Sequence, residues 1–504
     1  MGFVDNFLNE ITMYRLVLYH LIVLIVVAIV FTYLKILPFN PTDLILSTTF
    51  ILIVCYLVNS VFAKTFKAPT NVESVYITAL ILALIITPAN SVHNLVFLGW
   101  ASVWAMASKY ILAIGKKHIF NPAAVAVVIT AYGIGNSASW WVGNLPMLPF
   151  VLIGGLLITK KIRRVSLLVS FLTAALIVII GSTILASGNL LQTLKNAFFI
   201  SPLIFFATVM LTEPLTTPPT KTLQTVYGVL VGILFAPQFH VGTLYTTPEI
   251  SLLIGNLFAF LVSSKRKLIL SISEKIRLST DIYEFVFPLK NKFAFNPGQY
   301  MEWTVPADKA DSRGNRRYFT IASSPTENDL KIGVKFYPNS SSFKRSLYGL
   351  NPASQISAAS LAGDFTLPKN RSTKLVFIAG GIGITPFRSM LKYLVDKNEA
   401  RDIVLFYATK TQNEIVYKNI LDEASQKIGA KIIYVLSDTG QIPSAWTGKT
   451  GYVTNQMVTE NVPDYKSRHF YISGPQKMVD TFKSTLRTID IPKNQIKTDY
   501  FPGF

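Results

Sequence analysis

The feature that most constrains this 504-residue chain is the uneven distribution of its charged residues. Of 47 Lys and Arg and 27 Asp and Glu, only 13 and 6 fall within residues 1–263. The whole chain is 51% hydrophobic, and that excess is concentrated in the same stretch. A nearly uncharged half followed by a normally charged half predicts a membrane domain joined to a soluble one.

Ten apolar runs make up the first half of the chain. A helix that crosses a bilayer needs about 20 residues, so several runs predict half-helices or helices broken at proline. We therefore predict a multi-span α-helical membrane domain of about ten helices over residues 1–263. The first run is long enough to span, which argues against a cleavable signal peptide. The runs cover residues 14–37, 43–63, 72–89, 92–114, 120–135, 146–159, 165–186, 197–212, 222–240 and 247–263.

Lys and Arg cluster after every second run, whereas the alternate loops are nearly free of them, and Gly133–Pro146 has none. By the positive-inside rule, both termini and the soluble half lie in the cytoplasm. Membrane topology thus explains much of the formal charge of +20, and no nucleic acid partner is expected. We predict a multi-pass protein of the cell inner (cytoplasmic) membrane, with the lipid bilayer as a partner. The clusters are Lys64 and Lys67, Lys116 and Lys117, Lys160 to Arg164, Lys221, and Lys265 to Lys267.

Prolines recur at corresponding positions of the two halves of the membrane domain. The third and eighth runs end in Thr87-Pro88 and Thr212-Glu213-Pro214, and the fifth and tenth open with Asn121-Pro122 and Thr247-Pro248. An offset of five runs predicts an inverted repeat of two five-helix halves, with helix ends forming a site at the midplane. Helix N-termini suit a phosphate or an anionic flavin ring. The alternative is that these prolines only cap helices at the membrane surface.

Two strings in this half carry a family resemblance, Lys117–Ala124 (KHIFNPAA) and Phe206–Pro219 (FATVMLTEPLTTPP). They resemble the flavin-carrying membrane subunit shared by sodium-pumping NADH:quinone reductases and Rnf complexes. The resemblance covers most of residues 1–263 and implies a urea-transporter-like fold with a bound flavin. That family attaches FMN covalently in a Ser-Gly-Ala-Thr-like sequence, which is absent here, and the corresponding loop, Ser187–Lys195, is short. We therefore expect FMN or riboflavin held non-covalently, with candidate contacts from His118, Asn121, Thr212, Glu213 and Thr216.

Glu213 has more than one interpretation. A carboxylate at the end of an apolar span is costly unless it is paired, hydrated or functional. It can contact the cofactor or line a cation or proton path. Alternatively, it lies solvated at the cytoplasmic edge beside Lys221.

The second half changes to short strands, which predicts an antiparallel β-barrel over residues 264–371. From residue 372, apolar strands alternate with helical stretches, which predicts a parallel α/β domain over 372–504. The fold class is therefore a membrane helical domain plus an α+β module. The predicted strands are Leu268–Ile272, Ile282–Leu289, Tyr300–Val305, Leu330–Tyr337, Leu375–Ala379, Asp402–Tyr407, Lys431–Leu436 and His469–Ile472.

The string Arg317-Tyr318-Phe319-Thr320 lies in the barrel segment. It resembles the Arg-x-aromatic-Ser/Thr signature of the ferredoxin–NADP reductase superfamily, and the resemblance covers essentially all of 268–504. The resemblance implies that Arg317 pairs with the FAD pyrophosphate, that Tyr318 and Phe319 lie along the cofactor, and that Thr320 approaches the reactive flavin N5. Further on, Lys335 and Ser341-Ser342-Phe343 take the place of the glycine-rich segment that holds the FAD phosphates.

A glycine cluster follows the next apolar strand and opens a helix predicted over Phe387–Lys397. Glycines allow the close approach of a nicotinamide dinucleotide, and the helix N-terminus favours its charge. In the superfamily this is the nicotinamide-binding turn, with NADH or NADPH left open. Lys410 can meet a 2′-phosphate or be solvated. The candidate contacts in the turn are Gly380, Gly381, Gly383, Thr385 and Pro386.

Ser473-Gly474-Pro475 and Met478 resemble the superfamily's Cys-Gly-Pro-x-x-Met element, with Ser473 in place of the cysteine near the hydride-transfer site. We expect slower hydride transfer from that replacement. The tail that ends at Phe504 supplies aromatic residues that cover the free face of the flavin, or else it is a packing segment. Thr320, Ser473 and Phe504 are thus the candidate catalytic residues.

Our first hypothesis is an NAD(P)H-oxidising enzyme that moves electrons across the membrane to a quinone or an outer-face acceptor. The hypothesis leaves room for ion transport coupled to this electron transfer. Cys55 is the one cysteine, so this chain cannot supply the four thiolates of an iron–sulfur cluster. Two alternatives stay open: a transporter or channel gated by a redox-sensing domain, and a haem-type ferric reductase or NADPH oxidase. The haem alternative is weakened because only His20 of the five histidines lies well within a span. The acceptor, partner subunits and oligomeric state are not determined by the sequence.

Overall fold

The computed structural model describes residues 3–66, 72–114, 117–236, 239–241, 244–263, 267–306, 311, 314–352 and 354–499. The chain divides into two compact units, Gly2–Lys267 and Leu268–Phe504. Each unit has hydrophobic core clusters of its own.

The first unit consists of helices joined by short loops and two small antiparallel strand pairs. The strand pairs are β1 (Ala113–Ile114) with β2 (Lys117–His118), and β3 (His240–Val241) with β4 (Leu244–Tyr245). The helices are α1 (Phe3–Glu10), α2 (Met13–Tyr33), α3 (Pro41–Thr65), α4 (Val72–Ile85), α5 (Val92–Ile111), α6 (Pro122–Ile134), α7 (Leu148–Ile162), α8 (Val165–Leu185), α9 (Leu190–Phe199), α10 (Leu203–Phe205), α11 (Lys221–Phe235) and α12 (Pro248–Val262). A π-helical turn, Phe206–Met210, continues α10.

Each of the ten predicted apolar runs contains a helix. Among the residues described, three helices are long and apolar enough to cross a membrane, namely α2, α3 and α8. A fourth span is possible by length if α9 and the segment Leu203–Met210 are taken together, although the chain bends by 55° between them. The helices α4, α6, α11 and α12 are apolar but shorter. The total of about ten spans therefore stays a prediction.

The segment Ser187–Lys195 is not the simple loop that we predicted. It contains the first part of α9, which begins at Leu190 because the side chain of Asn189 accepts a hydrogen bond from the amide of Gln192 at 3.0 Å. An N-cap of this kind satisfies one of the four free amides of a helix N-terminus. The sequence signal was overlooked because this helix carries polar residues among its apolar ones.

The short helix α4 ends inside the unit because its terminal carbonyls find donors there. The carbonyl of Ile85 accepts hydrogen bonds from the amides of Ser139 and Trp140 at 2.9 and 2.8 Å. The indole Nε1 of Trp141 donates to the carbonyls of Ala83 and Ile86 at 3.0 Å. Unpaired carbonyls at a buried helix end are costly. The segment after α6 therefore makes a broken helix tolerable in an apolar core.

The second unit begins with seven strands in two antiparallel sheets. One sheet has the order β10–β7–β6 and the other β5–β11–β8–β9. The helix α13 (Ser342–Gly349) lies between β10 and β11 in the sequence. The strands are β5 (Leu268–Ser271), β6 (Glu274–Arg277), β7 (Ile282–Pro288), β8 (Tyr300–Thr304), β9 (Arg316–Thr320), β10 (Asp329–Lys335) and β11 (Gln355–Ala362).

The remaining strands form one parallel sheet with the order β15–β14–β13–β12–β16–β17. This α/β arrangement and the antiparallel sheets before it confirm the predicted fold class of the second half. The elements are β12 (Leu375–Gly380), α14 (Thr385–Asp396), β13 (Ile403–Thr409), α15 (Lys418–Ile428), β14 (Lys431–Leu436), β15 (Lys449–Thr450), α16 (Asn455–Asn461), β16 (His469–Ser473), α17 (Gln476–Thr488) and β17 (Ile496–Asp499).

All eight predicted strands are present, with ends shifted by at most two residues. The prediction did not include β6, β9, β11, β15 and β17. Of these, β6 and β11 were missed because neither has an alternating apolar pattern. All four residues of β6 are exposed, and three of them are charged. β11 consists largely of Ser and Ala. Its pairing with both β5 and β8 places it in the sheet.

A buried acid lies where the antiparallel sheets meet the parallel domain. Glu284 on β7 is opposite Gly333 on β10 and interacts with the hydroxyl of Tyr417. A Cβ at Gly333 would lie 2.7 Å from that hydroxyl oxygen, which explains the glycine. Burial is the largest influence on Glu284 and raises the pKa of its carboxyl, although Arg388 and Lys331 oppose it.

Replacing Glu284 with Gln tests this assignment. Because the folded chain has the raised pKa, the stability contributed by Glu284 is greatest at low pH and falls as the pH rises through that pKa. The Glu284→Gln variant should therefore unfold at a higher temperature than the parent at pH 8, with little difference at pH 5. Thermal unfolding of the full chain at both pH values measures this. Glu274→Gln, on the exposed strand β6, is the matched control and should change neither value. A lower unfolding temperature for Glu284→Gln at pH 8 would contradict the assignment.

Candidate functional site

The strand β9 and the helix α13 bring the first set of predicted residues together. The guanidinium carbon of Arg317 lies 5.4 Å from the ring centroid of Phe343, and the rings of Phe319 and Phe343 are 5.7 Å apart. Tyr318 lies on the other side of the strand, where its ring meets that of Tyr300 edge-on at 5.6 Å. Thr320 is buried at the end of the strand. Arg317 and Phe319 thus share one face with the start of α13.

The N-terminus of α13 already holds an anion from the chain itself. The carboxylate of Asp311 accepts a hydrogen bond from the amide of Ser342 at 2.8 Å, and the amide of Asp311 donates to the hydroxyl of Ser342 at 2.9 Å. Ser341 caps the helix by accepting from the amide of Lys344 at 3.4 Å. Free amides and a positive dipole end favour a phosphate at such a position. The carboxylate therefore occupies a place where a pyrophosphate oxygen fits.

Lys335 was predicted among the phosphate contacts, but its amino group is engaged elsewhere. It pairs with Glu414 at 3.1 Å and with Asp281 at 3.2 Å. These contacts place it at the boundary with the parallel domain. Its role as a phosphate ligand stays a prediction that no contact supports.

The glycine cluster forms a tight turn against the end of the neighbouring strand β16. A Cβ on Gly380 would overlap Met478, and a Cβ on Gly383 would overlap the carbonyl of Ser473. Gly381 has a φ of +54°, a conformation that disfavours other residues. The helix α14 begins directly afterwards at Thr385. The sequence-predicted turn and the Ser473–Met478 element are therefore in direct contact.

This contact lies at a topological switch point of the parallel sheet. From β12 the chain continues to β13 and β14 on one side, whereas β16 and β17 lie on the other side. Ala379 and Ser473 are paired at the carboxyl ends of β12 and β16. Ligands of open α/β sheets bind outside the carboxyl ends of the strands at such a point. Lys410 is exposed beyond the end of β13, so both interpretations of it remain open.

Phe504 and the rest of the predicted aromatic tail, residues 500–504, lie outside the described residues. The predicted role of this tail against the flavin therefore stays a prediction.

In the first unit, four of the five predicted flavin contacts form one polar cluster around Glu213. Its carboxylate accepts hydrogen bonds from the side chains of Asn121 at 2.9 Å and Thr216 at 3.0 Å. Nε2 of His118 lies 3.5 Å from the other carboxylate oxygen. Thr212 is not part of the cluster, because its hydroxyl donates to the carbonyl of Thr208 at 2.7 Å. Glu213 is therefore paired rather than simply solvated.

Asn256 supports this cluster and was missed by sequence reasoning. Its side-chain oxygen accepts from the amide of Asn121 at 2.8 Å, and its nitrogen donates to the carbonyl of Thr216 at 3.3 Å and to Tyr227 at 3.1 Å. The sequence signal that could have identified Asn256 is an asparagine within a largely apolar helix. An amide buried in such a helix needs hydrogen-bond partners. Asn256 links the start of α6 to the segment after Glu213.

Comparison with known proteins agrees with the geometry of the second unit. The family model described as "Oxidoreductase NAD-binding domain" matches residues 377–484. The C-terminal region therefore carries an NAD-binding oxidoreductase domain. This finding bears out the predicted NAD(P)H-dependent oxidoreductase class, while the FAD-binding residues stay a prediction. For the membrane half, the resemblance stays a prediction.

The reductase region is similar to reductase components of oxygenase systems. The glycine betaine monooxygenase reductase subunit of Chromohalobacter salexigens is 26% identical over 198 residues, 39% of this chain and 53% of that protein. The propane 2-monooxygenase reductase component of Mycolicibacterium goodii is 28% identical over 42% of this chain and 60% of that protein. The chain thus spans little more than half the length of these relatives. The crystal structure of the Amycolatopsis cytochrome P450 reductase GcoB is 22% identical, with a TM-score of 0.42, over 47% of this chain and 70% of that one.

A substitution in the glycine turn tests the nicotinamide site. Gly383→Ala should weaken NAD(P)H binding at least tenfold, a loss of about 1.4 kcal/mol, because its Cβ would overlap the Ser473 carbonyl. Titration of the purified full chain with NADH and NADPH measures this, and flavin content should be unchanged. Gly349→Ala is the matched control, since a Cβ there has nothing within 4 Å. Unchanged affinity in Gly383→Ala would remove the turn from the site.

Proposed function

We propose that this protein is a membrane-bound NAD(P)H-oxidising flavoprotein. Electrons would pass from a cytoplasmic FAD to a second flavin in the membrane unit, and then to a quinone or an outer-face acceptor. The observation that carries the proposal is the polar cluster at Glu213, formed at helix ends in an apolar unit of the same chain that carries an NAD-binding oxidoreductase domain.

The residues of the second unit fit FAD. Arg317 and the N-terminus of α13 supply cationic and amide donors, and the Asp311 carboxylate, which accepts from the amide of Ser342, shows that an anion fits at that N-terminus. Thr320 lies at the end of the same strand, three residues after Arg317. Bound there, FAD would supply the conversion of two-electron hydride chemistry into single-electron transfer. The chain binds and orients it through Arg317, Phe319, Thr320 and Ser342.

The glycine turn and Ser473 fit the nicotinamide dinucleotide. The turn removes side chains where the dinucleotide approaches, and it leads directly into α14, whose positive dipole end favours negative charge. Ser473 is buried at the carboxyl end of β16, where its hydroxyl can polarise the nicotinamide. NADH and NADPH both remain candidates.

The surface of the first unit supports membrane insertion. Its three long helices expose large apolar side chains that would face lipid rather than water. Examples are Val26 on α2 at 53% exposure, Leu46 on α3 at 60% and Ile177 on α8 at 65%. The charge pattern of the sequence places the reductase unit in the cytoplasm in this proposal.

The helix packing supports an inverted repeat of two five-helix halves. In the first half α3 packs on α5, and α5 on α6; in the second half α8 packs on α11, and α11 on α12. The helix α2 contacts α4 in the same way that α7 contacts the π-helical segment Phe206–Met210. The halves meet through α2 with α7 and α6 with α12. An offset of five runs relates every one of these pairs, as the prolines suggested.

The cluster at Glu213 is the proposed site of the second flavin, FMN or riboflavin. His118, Asn121 and Thr216 present donors beside the N-terminus of α6, where Asn121 also caps the helix by accepting from the amide of Ala124 at 3.1 Å. A flavin, when bound there, supplies one-electron transfer within the membrane unit. The chain's part is to orient the ring through these donors and to satisfy Glu213.

Haem is a less suitable cofactor for this chain. Two haems need pairs of histidines on facing helices. The four histidines of residues 1–263 belong to four different elements, namely His20 in α2, His93 in α5, His118 in β2 and His240 in β3. A flavohemoprotein from Oceanobacillus iheyensis is nevertheless 27% identical over 45% of this chain and 57% of that protein, so haem must be measured. A redox-gated transporter is the alternative if the membrane unit binds no flavin.

Cofactor extraction from detergent-purified protein, combined with Arg317→Ala, tests the proposal. The parent should release FAD plus FMN or riboflavin. Arg317→Ala should retain less than about a tenth of the FAD, because a charge-assisted pair of about 1.5–3 kcal/mol is lost, and should keep the second flavin. Arg371→Ala, whose side chain is 75% exposed, is the control and should retain both. Release of haem, or of one flavin per chain from the parent, would contradict the two-flavin route.

A second substitution tests the membrane site. Asn121→Asp keeps the helix cap but places a carboxylate within hydrogen-bond distance of Glu213, and like charges so close repel. The content of the second flavin in the variant should fall about tenfold, while its FAD content stays constant. Chromatography of the released flavins measures both. Asn189→Asp makes the same change at the N-cap of α9, where the side-chain oxygen accepts from the amide of Gln192, and should have no effect. Retention of both flavins by Asn121→Asp would place the second flavin elsewhere.

A further inference from the structure

The loop that follows β9 is held by the first turn of α14. Nη1 of Arg388 donates to the carbonyl of Ala322 at 3.1 Å, and the hydroxyl of Ser389 donates to the carbonyl of Ser323 at 2.6 Å. Two consecutive side chains of the helix therefore hold two consecutive carbonyls of the loop. Ala322 is two residues after Thr320, the predicted flavin contact, and Arg388 is three residues after Thr385, the end of the nicotinamide turn.

Glu327 completes this contact from the loop itself. Its carboxylate receives Nη1 and Nη2 of Arg388, the second at 2.9 Å, and also the amide of Ser324 at 2.6 Å and the amino group of Lys331 at 3.1 Å. Burial would raise the pKa of Glu327, but the hydrogen bonds and charge of Arg388 hold it down at about 2. The carboxylate is therefore ionised throughout the range in which the protein works.

Only arginine can make this set of contacts. Its planar fork binds a carboxylate through two nitrogens while one of them also reaches a carbonyl. Arg388 is 3% exposed, so no water can replace a lost donor without rearrangement. Lysine keeps the charge, but its three donors share a single nitrogen, so it cannot reproduce the two parallel contacts with Glu327 while also reaching the carbonyl of Ala322 in the same geometry.

We propose that Arg388 is a positioning residue that fixes the flavin-side segment Ala322–Ser324 against the first turn of α14. The contact sets the separation between the hydride donor at the glycine turn and the acceptor near Thr320. Hydride transfer depends steeply on such a separation, since a displacement of about 1 Å costs about a hundredfold in rate. This inference rests on the proposed function of the reductase unit.

The test compares Arg388→Lys with Arg468→Lys in the full chain. Arg468 is also buried and binds Asp402 through two nitrogens at 2.6 and 2.9 Å, but it lies at the amino end of β16, away from the turn. Rapid-mixing measurements of flavin reduction at saturating NAD(P)H give the hydride-transfer rate. Arg388→Lys should lower this rate at least tenfold, with FAD content and nucleotide affinity within about twofold of the parent. Arg468→Lys should lower the unfolding temperature without changing the rate.

Hydrogen–deuterium exchange provides a readout that does not depend on turnover. In Arg388→Lys the amide of Ser324 should exchange faster, because its acceptor Glu327 is released, and exchange in Arg468→Lys should be unchanged there. Ser389→Ala removes one smaller contact, the hydrogen bond to the Ser323 carbonyl. It should lower the hydride-transfer rate and speed exchange at Ser324 to a smaller extent. It keeps the inference testable if Arg388→Lys misfolds. A rate within twofold of the parent in Arg388→Lys, or a loss that only follows FAD content, would overturn the inference. A parent that binds no FAD would instead overturn the proposed function.

Discussion

Helix ends carry backbone groups without partners, and both candidate sites of this chain are built on such ends. In the reductase unit the start of α13 binds the carboxylate of Asp311, and in the apolar unit the start of α6 lies beside Glu213. Where a helix ends in apolar surroundings without a ligand, the chain provides the partner itself, as Trp140 and Trp141 do for α4. The need to satisfy these groups decides where irregular backbone is tolerated.

Local patterns in the sequence predicted most of the reductase fold and the parts of its site that are short strings. The glycine turn and the Arg317–Thr320 strand needed only neighbouring residues to be recognised. In contrast, β6 and β11 lack apolar alternation, and their identity as strands depends on pairing with distant segments. Arg388 and Glu327 are 61 residues apart, so no local pattern could join them.

The apolar unit shows the same division between local and tertiary information. Proline positions correctly marked the ends of short helices and suggested which residues approach one another. They did not reveal Asn256, which is 135 residues from its partner Asn121, or that the Thr212 hydroxyl bonds within its own helix. Among residues of similar polarity, the fold decides which ones meet. A list of polar residues near prolines therefore includes residues that do not belong to the site, such as Thr212, and omits others that do, such as Asn256.

The two units satisfy charge in different ways, which follows from their surroundings. Glu327 is half-buried against the buried guanidinium of Arg388, which forms a fork with it, so the pair holds one fixed geometry. Glu213 instead accepts from neutral side chains and lies near a histidine at 3.5 Å. These donors carry no charge of their own, so the carboxylate of Glu213 is the group that must keep a partner. The first arrangement holds one fixed geometry, whereas a ligand that took the donors of the second would also have to supply donors to Glu213.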